Sequence, residues 1–294
     1  MNSPAVFVAP AGVGSPESPL RAIRSAFAWV GFVAVYLFLY APLATIGIFA
    51  FNDSTVQALP WSGFTLQWFA AIGQDGLLLS AVTFGLSVSL LVVVVSSVIG
   101  TYFAVVVHSA TGVAPRVLLA AAMIPAIVPG MVLGLSLAIT FRLVGIPAGL
   151  WSIVIGHLAF TVPVVTLVVL TRLRRLDPSL TQASMDLGAN SWRTFWHVTF
   201  PQLRTAILAA ALLALTLSFD EVVITFFLVG TQQTLPLFIW SQTRFGFTPE
   251  INAIVTVIGA VSIVLIVIAT RVIEREVDPF AGTGRKRRTR KRTS

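Results

Sequence analysis

Six long apolar stretches, set apart by shorter polar or basic segments, dominate the sequence. They fall at residues 27–51, 77–107, 117–140, 151–171, 205–229 and 251–271. Each is long enough to form the roughly 20-residue helix that crosses a hydrocarbon core. The pattern predicts an all-α membrane protein with six transmembrane helices. Prolines 42, 125, 129 and 163 fall inside the predicted spans and are expected to kink them. Gly130 and Gly134 beside Pro125 and Pro129 are expected to let another helix approach closely.

One polar segment breaks the pattern in an informative way. Between the fourth and fifth stretches, residues 172–204 form the most basic internal loop. Asp177-Pro178-Ser179 reads as a helix start, with proline in the first turn. The residues from Gln182 to Gly188 suit a short helix, and Gly188 suits its C-terminal cap. Asn190-Ser191 begins a second helix running towards Pro201. The expected result is a helix–turn–helix that projects from the membrane, fit to dock a soluble partner.

Composition narrows the function classes. The chain has 294 residues, 56% hydrophobic and only 10% charged, and its mean hydropathy is +0.92. Soluble domains carry about 25% charged residues, so a soluble fold is excluded. Cysteine is absent, which excludes disulfides, thiolate catalysis and cysteine-based metal sites. His108, His157 and His197 are the only histidines, and no metal site is indicated. No Gly-x-x-x-x-Gly-Lys-Ser/Thr phosphate loop occurs, so the chain is not itself an ATPase. No nucleophile–base–orienter set appears, so no catalytic residue is assigned and the chain is not read as an enzyme.

Charge orients the spans. Seventeen of the nineteen basic residues fall before the first span, after the sixth, or in the even-numbered loops; only Arg142 and Arg244 fall on the other side. By the positive-inside rule both termini are expected in the cytoplasm, with an even number of spans. Residues 1–26 read as a disordered cytoplasmic N-terminus, 27–276 as the membrane domain, and 277–294 as a basic cytoplasmic tail. The tail's run at 285–292 is assigned to anionic membrane lipids rather than to nucleic acid. The outer segment 230–250, with Pro236, Trp240 and Pro249, is compatible with a short helix over the outer mouth.

Asp220-Glu221 lies inside the fifth predicted span. Carboxylates at membrane depth cost about 2.5–3.5 kcal/mol on insertion scales and are functional candidates by default. On a continuous helix they point about 100° apart. Glu221 then shares a polar stripe with Ser218 and Thr225, while Asp220 turns elsewhere. Asp220, Glu221, Ser218, Thr225, His157 and Trp240 are the candidate solute-pathway residues. For His157 a plain helix-to-helix hydrogen bond is the simpler expectation.

The stretch Gln182-Ala-Ser-Met-Asp-Leu-Gly-Ala189 with Pro201 resembles the coupling loop of the permease subunits of ABC importers. The likeness extends to Phe51-Asn-Asp-Ser54, Trp61-Ser-Gly-Phe-Thr65, Trp68, Trp151-Ser152, His157, Ser218-Phe-Asp-Glu-Val-Val223, Leu235-Pro236 and Pro249-Glu-Ile-Asn-Ala253. These are similar to the spermidine/putrescine permeases, and above all to the second permease subunit of such systems. The resemblance implies the type I importer permease fold. It implies that Gln182, Ala183, Ser184, Asp186, Leu187, Gly188, Ala189 and Pro201 couple to a dimer of ATPase subunits. ATP and Mg would be bound by that ATPase, with no cofactor on this chain. A second related permease and a substrate-binding protein are the other implied partners. Two positions depart from the family pattern: Gln182 stands for a usual Glu and Ser184 for a usual Ala. Gly130 also stands where some polyamine permeases carry an acidic residue.

The reading is thus a permease for a small solute, with putrescine or spermidine the expected cargo. The competing class is a stand-alone secondary transporter using Asp220 and Glu221 for cation coupling. That alternative leaves the 172–204 loop without a purpose. A membrane-embedded hydrolase is disfavoured by the missing catalytic set.

Overall fold

In the computed structural model, residues 19–56, 58–242 and 248–277 are described. The N-terminal segment 1–18, the basic run at 285–292 and Arg244 lie outside them. The described residues are helical almost throughout, with one isolated antiparallel bridge, Asn52 to Phe64, in the first outer loop.

The elements run in order. Helix α1 (Pro19–Phe49) begins ahead of the expected span start and continues past Pro42. A short α2 (Gln67–Ile72) follows. Helix α3 (Gly76–Ser109) is a single helix of 34 residues. Asp75 starts it by accepting the amides of Leu77 and Leu78, the usual solution to unpaired N-terminal donors. Helices α4 (Ala114–Ile127), α5 (Gly130–Val144) and α6 (Leu150–Leu173) come next. The polar loop supplies α7 (Pro178–Asp186), α8 (Ser191–Thr194) and a π-helical turn, Phe195–Thr199. Helices α9 (Phe200–Phe219), α10 (Val223–Leu228), α11 (Leu235–Gln242) and α12 (Pro249–Val277) complete the order.

Two expected spans are not continuous. The third breaks into α4 and α5, bent 95° apart. Pro129 explains this: it cannot donate a backbone hydrogen bond, and it forces Val128 into an extended conformation, ψ 132°. The fifth stops at Phe219 and restarts as α10 only at Val223. The polar pair Asp220-Glu221 sits in that gap, so the angular argument for a continuous helix does not hold there. The β-branched run Val222-Val-Ile-Thr225, weak in helix propensity, adds to the break. By length and apolarity, four helices among the described residues qualify as membrane spans, or five if α4 and α5 count as one. The apolar part of α12, Pro249–Val264, is shorter.

Helices α3, α6 and α9 pack together through Ala104, Val165, Val169, Leu170, Leu203, Ala210 and Ala214, all buried. Gly100 makes the α3–α6 contact close: a Cβ there would fall 2.7 Å from the Val165 side chain. The Thr166 hydroxyl, 2.8 Å from Val162 O on its own helix, also lies 3.3 Å from the Gly100 carbonyl across the same seam. A second buried cluster joins α3, α5, α6 and α10 through Val88, Phe141, Ile153, Ile224 and Leu228. A third, containing Leu78, Leu235, Phe238 and Ile254, joins α3, α11 and α12 at the end remote from α7. By contrast, α1 meets the bundle mainly along α12 and exposes Phe27, Trp29, Leu37 and Phe38. Such all-round apolarity suits a helix surrounded by lipid.

Candidate functional site

The first region is the α7–α8 loop. Asp177 caps α7 by accepting the Ser179 amide at 2.9 Å. That amide, and then the Ser179 side chain, hold the Asp177 carboxyl below its ordinary value. Proline at the next position costs nothing there, because its missing donor would have had no helical partner. The helix ends in a left-handed Gly188, φ +85°. The Ala189 amide donates to Ser184 O and the Gly188 amide to Met185 O. This is the Schellman arrangement, which satisfies carbonyls the helix leaves open. Asn190 then caps α8, its Oδ1 accepting the Arg193 amide at 2.8 Å.

The two short helices are tied to each other. Ser184 Oγ and Thr194 Oγ1 are 3.0 Å apart, and Thr194 is buried. Beyond α8 the chain widens into the π turn before Pro201. Proline cannot bond the carbonyl four residues back and its ring crowds that carbonyl. The wider turn relieves the crowding. Gln202 then donates its side-chain amide to Val198 O at 2.8 Å. Arg172, at the end of α6, donates to Gln202 O, which pins the start of α9 to the α6 terminus.

Of the residues expected in coupling, Gln182, Ala183, Asp186, Leu187, Gly188 and Pro201 are exposed; Ser184 and Ala189 are half-buried. The same surface carries large apolar side chains. Leu187 is 89% and Trp192 69% exposed, with Leu180, Met185 and Trp196 also exposed. Large apolar side chains exposed beside a polar helix form a candidate contact surface.

The second region is the break between α9 and α10. Asp220 ends α9 and is exposed, while Glu221 is half-buried. The Glu221 carboxylate accepts the Ile224 amide at 2.9 Å and so caps α10. Two carboxylates therefore sit at the carbonyl end of a 20-residue helix, where the helix dipole already favours cations. His157, Ser218 and Thr225 are brought together but lie in the interior. The His157 ring is buried, with Nδ1 2.9 Å from Ser218 Oγ and Nε2 2.9 Å from Thr225 Oγ1. Trp240 is on α11, stacked edge-on with Phe226 of α10, ring centroids 5.5 Å apart.

Sequence reasoning missed how α10 is held. The Leu228 carbonyl, at its C-terminal end, accepts the Gly149 amide at 3.0 Å and lies 2.9 Å from the Ser152 hydroxyl, which it shares with the Gly149 carbonyl at 2.8 Å. Along its side, Gly134 and Gly156 give it room: a Cβ on Gly134 would meet Phe227 and the Ile224 backbone, and one on Gly156 would meet Leu228. The glycines were visible signals. The Ser152 contact, 76 residues away in sequence from Leu228, was not.

Known proteins supply the context for this geometry. Residues 96–279 match the family described as "Binding-protein-dependent transport system inner membrane component". The chain is 35% identical to the putrescine transport system permease protein PotI of Escherichia coli (strain K12) over 259 residues, covering 83% of this chain and 90% of that one. It is 30% identical to the spermidine/putrescine transport system permease protein PotC of the same organism over 257 residues, covering 87% and 95%. Among solved structures, a bacterial ABC transporter for import of the acidic polysaccharide alginate superposes with TM-score 0.68 at 14% identity, over 87% of this chain and 97% of that one. The inward-facing MetNI methionine ABC transporter gives TM-score 0.58 at 20% identity, over 70% and 98%. These two likenesses establish the fold. The chain belongs to the inner-membrane components of binding-protein-dependent transport systems, as a non-catalytic, multi-pass permease subunit of an ABC importer.

Proposed function

We propose that this permease carries a polyamine, putrescine or spermidine, from a substrate-binding protein across the bacterial inner membrane. The supporting observation is the α9–α10 break. It gathers Asp220, Glu221 and the carbonyl end of α9 at one point of a membrane-spanning segment. A multiply protonated amine finds complementary charge there, and a neutral or anionic solute does not. The similarity to PotI and PotC points the same way. Asp220, Glu221 and Trp240 are assigned to the pathway wall. His157, Ser218 and Thr225 stand behind it.

The driving force enters at the other region. The exposed face from Gln182 to Ala189, with Leu187 and Trp192, is assigned to an ATPase dimer that holds ATP and Mg. Docking free energy that differs between two states of the ATPase is what shifts the permease between inward- and outward-open forms. A second, related permease subunit completes the pathway. In this reading α7 and both termini face the cytoplasm.

The test is uptake of labelled putrescine and spermidine into proteoliposomes holding the full complex with its binding protein. ATP-dependent uptake that falls in Asp220→Asn or Glu221→Gln is expected. Uptake indifferent to ATP would overturn the importer assignment for this cargo. Absent polyamine uptake, with ATPase activity still stimulated by the binding protein, would discard the polyamine.

A further inference from the structure

The hydroxyls around His157 have a direction. Thr225 Oγ1 donates its single proton to the Glu221 carbonyl at 2.7 Å. It can then only accept from the imidazole, which puts the ring proton on Nε2. Nδ1 is left as an acceptor, and the Ser218 hydroxyl donates to it. The chain of bonds therefore runs from Ser218 on α9, through His157 on α6, to Thr225 on α10, and ends on the backbone of Glu221. One buried side chain spans the gap that the backbone leaves open at residues 220–222.

The other anchors of the two segments lie at opposite ends of α6. Helix α10 is fixed at its far end to Ser152 and Gly149, and along its side to α5. Helix α9 is fixed by its buried packing with α3 and α6. Neither set of contacts ties the last turn of α9 to the first turn of α10. The imidazole bridge does, because it holds both turns to one ring.

The geometry points to His157 as a positioning residue for the solute pathway: it sets the shape of the α9–α10 break and so the placement of Glu221. It touches no solute. Its consequence for transport rests on the polyamine reading above, but its effect on the break does not.

The test uses a convenient property of the chain, its lack of cysteine. Single reporter cysteines, Leu217→Cys on the α9 side or Val223→Cys on the α10 side, are introduced into the full complex. Both positions are partly exposed. Their rates of modification by a small water-soluble thiol reagent are compared with His157 intact and replaced. His157→Ala is expected to change the rate several-fold at one or both reporters, and His157→Gln, which keeps a donor and an acceptor, to restore it. If His157→Ala fails to assemble, the double variant Ser218→Ala/Thr225→Val keeps the ring, removes both bonds and is expected to give the same change. In uptake, the same variants are expected to raise the KM for putrescine several-fold with Vmax changed less. Parent labelling rates in His157→Ala, or in the double variant, would overturn the inference. So would an equal change in His157→Gln, which would reduce the ring to filler. A complex that moves no putrescine at all would fail the cargo reading alone, since labelling still decides the role of His157.

Discussion

Ser184 and Thr194 meet hydroxyl to hydroxyl, 3.0 Å apart, across the turn at Gly188. Position 184 carries serine where the loop pattern it resembles has alanine, and the structure gives that serine a hydrogen-bond partner. Ser184→Ala removes one hydrogen bond next to a buried Thr194, at a cost of about 1 kcal/mol. Faster hydrogen exchange in 178–199 is expected, with membrane insertion unchanged. Unaltered exchange there would mean that the bond adds nothing to the loop.

Gly188 separates two effects. Nothing lies within 4 Å of the place its Cβ would occupy, yet its φ is +85°. Gly188→Ala therefore meets no clash and carries only the left-handed penalty, about 1–2 kcal/mol. It is expected to reduce coupling modestly. Gly188→Arg adds bulk and charge to the docking face, and is expected to abolish binding-protein-stimulated ATP hydrolysis while the protein still inserts. Normal stimulation in Gly188→Arg would remove this face from the ATPase contact.

The helical loop was legible because its signals are local. Asp177-Pro178, Gly188 and Asn190-Ser191 each act within a turn of helix, and each appears where a cap or stop is required. The breaks were less legible because they depend on tertiary partners. Pro129 advertised itself, but whether a proline kinks or severs a helix depends on what neighbours take up the freed carbonyls: Pro163 sits inside an unbroken α6, whereas Pro129 separates two helices. At 220–222 no proline gives warning. The gap is bridged by His157, remote in sequence from both sides of it.

Gly134 and Gly130 form a matched pair for testing the seat of α10. A Cβ on Gly134 would lie 2.8 Å from Phe227 Cδ2 and 3.2 Å from the Ile224 Cα, whereas one on Gly130 would find its nearest atom at 3.7 Å. Gly134→Ala is expected to cost about 1–3 kcal/mol of overpacking. Gly130→Ala is expected to be nearly neutral. Thermal unfolding in detergent ranks them, and equal midpoints would show that α10 yields freely.

Glu221 has two duties that substitution can divide. Its carboxylate caps Ile224 and carries charge. Glu221→Gln keeps an oxygen to accept the amide and loses the charge; Glu221→Ala loses both. For a divalent amine, Glu221→Gln is expected to raise the uptake KM about tenfold, corresponding to roughly 1.4 kcal/mol. Glu221→Ala is expected to lower the unfolding temperature as well. Matching KM values for parent and Glu221→Gln would move the cationic contact to Asp220.

Acid should loosen α7 in a defined window. The Asp177 carboxyl titrates below its ordinary value of 3.8 because the folded state supplies the Ser179 amide. A carboxylate whose folded pKa is depressed stabilises the fold above its unfolded value and loses that contribution as pH falls through the folded one. Amide exchange of α7, corrected for its intrinsic pH dependence, is therefore expected to be flat from neutral pH to about 4 and to rise only below that. Asp177→Asn, which can still cap, is expected to show no such rise.

The pinning of the Leu228 carbonyl by Ser152 and Gly149 has a mechanical corollary. Residues 200–228 are contiguous in sequence, but α9 packs along the later turns of α6, whereas α10 is held at the beginning of α6. In the proposed coupling, a displacement at Pro201 would pass along α9 to residue 220, while Gly149 and Ser152 hold the far end of α10. Strain raised by nucleotide turnover would thus be concentrated at the two carboxylates rather than spread over the bundle, and solute release would be the event that relaxes it.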